Sequence, residues 1–133
     1  MIDLQPFFEI HERMLSSTPE SFRRYAYYRI NWEGRLLGIV GARGCGKTTL
    51  LLQKILEKRG ADCLYISADN PLVLKESIYA IGDAFFKIGG KTLIVDEAHR
   101  QTGWSNDIKA LYDAHPTKQI YFSGSSKFSV LMG

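Results

Sequence analysis

Residues 41 to 48 read Gly41-Ala42-Arg43-Gly44-Cys45-Gly46-Lys47-Thr48, a fit to the G-x-x-x-x-G-K-[ST] pattern of a phosphate-binding loop. Glycines at 41, 44 and 46 let the backbone curl tightly and carry no Cβ, so successive N–H groups can point at phosphate oxygens. A helix starting near Lys47 adds the partial positive charge of its unpaired first-turn N–H groups. Lys47 can then reach the β- and γ-phosphates of a nucleotide, and the Thr48 hydroxyl can ligate Mg²⁺. Gly41, Ala42, Arg43, Gly44, Cys45, Gly46, Lys47, Thr48 and Thr49 are the candidate nucleotide-contacting residues.

A second group of chemically capable residues lies downstream. Leu93-Ile94-Val95-Asp96-Glu97 is an apolar run ending in two acids, the form of a Walker B strand. Asp96 is the second candidate metal residue beside Thr48, holding Mg²⁺ largely through its water shell, because Mg²⁺ keeps several waters and few protein ligands. Glu97, next to it, can orient and deprotonate a water that attacks the γ-phosphate. Ser123 sits after the apolar Ile120-Tyr121-Phe122. Its hydroxyl can bond the attacking water or a γ-phosphate oxygen, or it can cap its own turn; the residue types leave both readings open. Glu97, Lys47 and Ser123 are the catalytic candidates. A carboxylate beside the metal-binding acid suits hydrolysis better than transfer to a second substrate, for which no motif is present. Thr117-Lys118-Gln119 does not supply the Asn-Lys-x-Asp that reads guanine, so ATP is the expected nucleotide. Asp96-Glu97-Ala98-His99 also spells the DEAH of a helicase superfamily, without that superfamily's second domain and further motifs.

These residues need a frame, and the hydrophobic pattern supplies one. Continuously apolar strands at Leu36–Val40, Cys63–Ile66, Thr92–Val95 and Ile120–Phe122 alternate with helical segments. That alternation predicts a parallel sheet covered on both faces, a three-layer α/β/α fold. Ligands bind such sheets outside the carboxyl ends of the strands, where both motifs lie. The expected strand order is 1-4-3-2. Lys47 to Lys58 reads as a helix closed by Gly60. Asn70-Pro71 starts another, with Asn70 as N-cap and Pro71 at the first position, and Leu74, Ile78, Ile81, Phe85 and Ile88 along one side until Gly89-Gly90. Ser105 is the expected cap of a further helix that carries Ile108, Leu111 and Tyr112 and stops at Pro116. Ahead of the first strand, Leu4, Phe7, His11 and Met14 or Leu15 fall at helical spacing, with His11 read as a packing residue. Thr18-Pro19 starts a second helix whose Arg23, Arg24 and Arg29 form a solvated face, and Asn31-Trp32-Glu33-Gly34 reads as a turn. The expected division is an N-terminal helical segment, 1–34, and a core, 35–133.

Composition narrows the classes. The chain has 133 residues, 45% hydrophobic and 23% charged, which suits an ordinary globular domain. A net charge of +3 gives no argument for nucleic acid. Cys45 and Cys63 lack metal-ligand or C-x-x-C spacing, so reduced thiols and no zinc are expected. With Asp3 at the start and no apolar run near ~18 residues, the expectation is a soluble, cytoplasmic protein without a membrane partner.

The loop at 41–50, the Asp69-Asn70-Pro71 step, Asp96-Glu97 with Gly103-Trp104 downstream, and Ser123-Gly124-Ser125-Ser126 resemble the bacterial and archaeal AAA+-type ATPase domains that usually precede a winged-helix and nuclease-like region. The resemblance covers roughly residues 35 to 128. It implies a P-loop NTPase core using ATP and Mg²⁺, with Ser123 at a sensor position, and it implies DNA as a partner only through downstream domains. It also implies a fifth strand beside the first, then an arginine finger and a lid, so a chain ending at Gly133 is expected to be an N-terminal fragment lacking them. An arginine finger is worth roughly 10³–10⁵ in rate, so slow turnover is expected. Self-association supplying one of Arg23, Arg24, Arg29, Arg43 or Arg100 is the expected remedy. The alternative is a nucleotide-gated binding module with negligible hydrolysis.

Overall fold

Largely apolar strands have to be covered on both faces, and residues 63–66, 92–96 and 120–123 are, while the first strand keeps Leu36 exposed. The structure, a computed structural model, describes residues 2–18, 34–41, 47–58 and 62–125. Four parallel strands, β1 (Leu36–Gly41), β2 (Cys63–Ser67), β3 (Thr92–Asp96) and β4 (Gln119–Ser125), form one sheet in the order β1-β4-β3-β2. The expected fold class and order are both realised. Between the strands run α2 (Lys47–Lys58), α3 (Pro71–Glu76), α4 (Ile78–Lys87), a 3₁₀ turn at Ala98–Arg100 and α5 (Trp104–Ala114), while α1 (Gln5–Ser16) precedes them all.

Alternation along the strands sorts the side chains into two cores. Leu64, Ile66, Leu93, Val95, Ile120 and Phe122 face α3, α4 and α5 on one side. Tyr65, Ile94 and Tyr121 face α2 on the other, against Leu51, Leu52 and Ile55. Burying such a side chain contributes about 1.5–3 kcal/mol each, so the sheet holds both helical layers. α1 belongs to both cores. Leu4 and Phe7 join the first and Met14 and Leu15 pack on the second, so the helix straddles the β2 edge. At its middle, buried His11 turns Nδ1 to the edge and accepts the Tyr65 N–H at 2.9 Å. An outward-facing edge amide thereby finds an acceptor inside the protein.

At the opposite end of the sheet Arg35, just before β1, closes α5. Its guanidinium donates to the carbonyls of Tyr112, His115 and Lys118 and stacks on the Tyr112 ring at 3.9 Å. The Tyr112 carbonyl is one that a helix end leaves without an internal partner, and His115 and Lys118 belong to the turn that follows α5.

The expected single helix from Asn70 to Ile88 is instead two. Asn70 caps α3 as read, its Oδ1 accepting Leu72 N–H at 2.9 Å. The chain then breaks at Ser77, at φ 86°, and α4 starts anew. Three side chains hold the break: Gln101 Oε1 accepts Ile78 N–H, Asp107 Oδ2 accepts Tyr79 N–H, and Ser77 Oγ accepts Ala80 N–H. Two of the three come from distant sequence, which is why local periodicity did not show the interruption. Ile78, Ile81 and Phe85 are buried as expected, but Leu74 and Ile88 are exposed. Nor does Ser105 cap α5. Gly103, at φ 80°, occupies the cap position and Trp104 begins the helix, its ring 5.7 Å from that of Phe122. β4 runs past the expected Ile120–Phe122 to Ser125, which pairs with Gly41. The proposed helix after Pro19, most of the turn at 31–34, the Gly60 cap and Ser126 lie outside the described residues.

Burial lowers the His11 pKa from 6.5, against a smaller upward pull from Glu12. The unfolded chain therefore binds this proton more readily than the folded one. Stability is intact above the unfolded value and falls as pH drops below it towards the native one. We expect the wild type to lose more resistance to urea between about pH 7 and about pH 5 than His11→Asn, whose amide oxygen accepts the same N–H without titrating. Urea midpoints at both pH values check this.

Candidate functional site

The parallel sheet brings the carboxyl ends of β2, β3 and β4 to the same rim, and the first turn of α2 arrives there from the α2 face. Asp96, last in β3, is 2% exposed. A buried carboxylate without partners would be very costly, and this one is met by three hydroxyls. Thr48 Oγ1 donates to Asp96 Oδ2 at 2.5 Å, the Tyr65 hydroxyl donates to the same oxygen at 2.7 Å, and Ser123 Oγ donates to Oδ1. Tyr65, Asp96 and Ser123 come from three adjacent strands and point to one face because strand side chains alternate. Burial, then the negative charge of Asp96, holds the Tyr65 phenol well above its ordinary pKa of 10.0, so it remains a donor.

Glu97 follows in the left-handed region, at φ 53° and ψ 39°. A non-glycine residue there is strained, and such strain persists only where surrounding contacts enforce it. The enforcing contact is the Glu97 N–H, which donates to Ser123 Oγ at 2.9 Å. The backbone turn leaves the Glu97 carboxylate 17% exposed and 3.5 Å from His99 Nε2. Ser123 is fully buried, and its hydroxyl bridges Asp96 and the Glu97 amide. Lys47, the first residue of α2, is buried at 5% exposure.

Beside these groups opens a cleft of about 550 Å³. Thr48, Asp96 and Glu97 line it, with Ser67, Asp69 and Asn70 from the end of β2 and Ile10 and Met14 from α1. Asp69 is paired with Arg100 Nε at 3.1 Å, so one of the arginines considered for another copy's site has a partner within its own chain.

The structure thus joins Thr48 to Asp96 across 48 residues of sequence and places Ser123 and Glu97 against the same acid. Of the expected nucleotide-contacting set, Gly41, Lys47, Thr48 and Thr49 lie among the described residues, while Ala42, Arg43, Gly44, Cys45 and Gly46 lie outside them. Sequence reasoning missed Tyr65, and it read His11 as the packing residue it is without its bond to the β2 edge. Tyr65 looks like one more apolar strand residue until the register of β2 against β3, Tyr65 opposite Ile94 and Ser67 opposite Asp96, sets it next to the acid.

Thr48 and Asp96 offer a hydroxyl and a carboxylate oxygen converging at the cleft. These are the hard oxygen donors that Mg²⁺ takes while keeping most of its waters. Among the described residues no group of three or more His, Cys, Asp or Glu side chains could enclose a metal.

A parallel sheet ordered 1-4-3-2, with a helix and an acidic strand tip meeting at its carboxyl rim, defines an α/β fold of the P-loop NTPase kind. A family model described as an AAA domain matches residues 33–132, and the chain belongs to that family. Membership places it among nucleotide-binding domains and suggests activity of the ATPase type. No curated protein matches the chain. No helix among the described residues is long and apolar enough to cross a membrane.

Removing the Ser123 hydroxyl strips a donor from Asp96 and an acceptor from the Glu97 amide. Ser123→Ala is expected to lower unfolding free energy by about 1–3 kcal/mol, measured by urea denaturation.

Proposed function

We propose that the chain binds ATP with Mg²⁺ and hydrolyses it to ADP and phosphate, coupling nucleotide state to a change in shape or partner binding. The observation that carries this reading is the Thr48–Asp96 bond, which sets the end of the phosphate-loop motif against the acidic tip of β3. Lys47 neutralises the β- and γ-phosphates, with residues 41 to 49 supplying the amides that cup them. Thr48 and Asp96 hold Mg²⁺, which would draw charge from the phosphates as they react. Glu97 takes the proton of the attacking water, and Ser123 fixes the relation between the metal-side acid and that base.

A second reading treats nucleotide occupancy alone as the signal. It is favoured by the closeness of Glu97 to His99, 3.5 Å in this state, because a carboxylate engaged there must turn before it can serve as a base. Release of Glu97 on nucleotide binding would then be the switch. An arginine from a second copy belongs to the hydrolytic reading, as a means of speeding turnover, and a DNA contact enters either reading only through downstream domains.

Nucleotide titration followed by phosphate release separates the readings. We expect Lys47→Ala to lose most of its affinity for ATP·Mg²⁺. Glu97→Gln should keep its affinity while hydrolysis drops by about 10²-fold or more. Equal affinity of wild type and Lys47→Ala would refute the site. Phosphate release no faster than buffer in both wild type and Glu97→Gln would leave the gated-binding reading.

A further inference from the structure

Tyr65 stands in the middle of β2 at 2% exposure, where a phenylalanine would fill the same space without burying a hydroxyl. That hydroxyl is directed to Asp96 Oδ2 at 2.7 Å, the oxygen that Thr48 also reaches. The backbone of the same residue is held from the other side, because its N–H leaves the sheet edge and donates to His11 Nδ1. α1 lies outside the stretch matched by the AAA-domain family, yet Ile10 and Met14 wall the cleft that Asp96 lines. A continuous path of direct contacts therefore runs from α1 through His11 and Tyr65 to the acid.

We propose that Tyr65 is a positioning residue for the cation half of the site: its hydroxyl fixes the direction of the Asp96 carboxylate, and α1, through His11, fixes Tyr65. The inference rests on reading Thr48 and Asp96 as the Mg²⁺ pair. Hydrogen bonds of this kind, one step behind a metal-holding group, orient it and are commonly worth about 10–100-fold in metal affinity. A hydroxyl that merely satisfied itself on the nearest acceptor would alter stability and leave metal dependence alone.

The test uses the whole chain and a fluorescent, non-hydrolysable ATP analogue, titrated with excess Mg²⁺ and again with EDTA. The ratio of the two affinities is the gain due to Mg²⁺. Tyr65→Phe keeps the ring and its packing, and its gain is expected to fall by about tenfold while affinity in EDTA stays at the wild-type value. A full wild-type gain in Tyr65→Phe, whatever its melting temperature, would overturn the proposal. Should that variant not fold, His11→Leu and His11→Asn read the same path. A smaller gain in the leucine variant with the wild-type gain in the asparagine variant supports it, and equal gains in both overturn it. Lys47→Ala keeps the two inferences apart. If it binds the analogue as wild type does, the nucleotide reading fails and this one with it; if it loses binding while Tyr65→Phe keeps the full gain, only the positioning role falls.

Discussion

Asp96 places a carboxylate at the tip of a central strand, withdrawn from water, and the surrounding structure is arranged to make that tolerable. An ionised carboxyl group only accepts hydrogen bonds, and three hydroxyls donate to this one: Thr48 from α2, Tyr65 from β2 and Ser123 from β4. Bonds to a charged acceptor are stronger than neutral ones, so this one acid ties three elements to β3. None of the three neutralises it. Asp96 also lines the cleft, where a carboxylate oxygen is the kind of donor a hard cation takes.

The same arrangement explains the backbone that follows. Glu97 adopts a left-handed conformation because its amide is needed by Ser123, and Ser123 is in turn needed by Asp96. The 3₁₀ turn then carries the chain to Gln101 and Asp107. Gln101 donates to Asp107 through Nε2 at 2.8 Å, and the two accept the first N–H groups of α4. An acid at a helix N-terminus is favoured by the helix dipole. The segment leaving the site is thus bonded to the helix beyond it, and a shift at Glu97 has a direct physical route to α4.

α1 gives the edge of the sheet a similar treatment. An edge strand with bare amides invites pairing with other chains, and β2 avoids this at Tyr65 by using His11 as acceptor. Because α1 contributes to both cores, its docking is held by apolar burial on either side of the His11–Tyr65 contact.

Much of this was written plainly in the chain. The run from Gly41 to Thr48 and the acids at 96 and 97 pointed to the nucleotide-binding class in which the family places the chain. The four apolar strands between helical segments gave a parallel sheet, and Asn70-Pro71 gave a correct helix start. These features are local, because a glycine-rich turn, a cap or an apolar strand is specified by residues a few positions apart. Other features depended on groups far apart in sequence. The break at Ser77 requires Gln101 and Asp107, the role of Tyr65 requires the β2–β3 register, and the buried place of His11 requires an edge amide more than fifty residues away, |i−j| being 54. Residue types and spacing along the chain decided which chemistry was available. Packing of the sheet decided which hydroxyls and amides would stand close enough to aim it, since a hydrogen bond exists only where the fold brings donor and acceptor within about 3 Å.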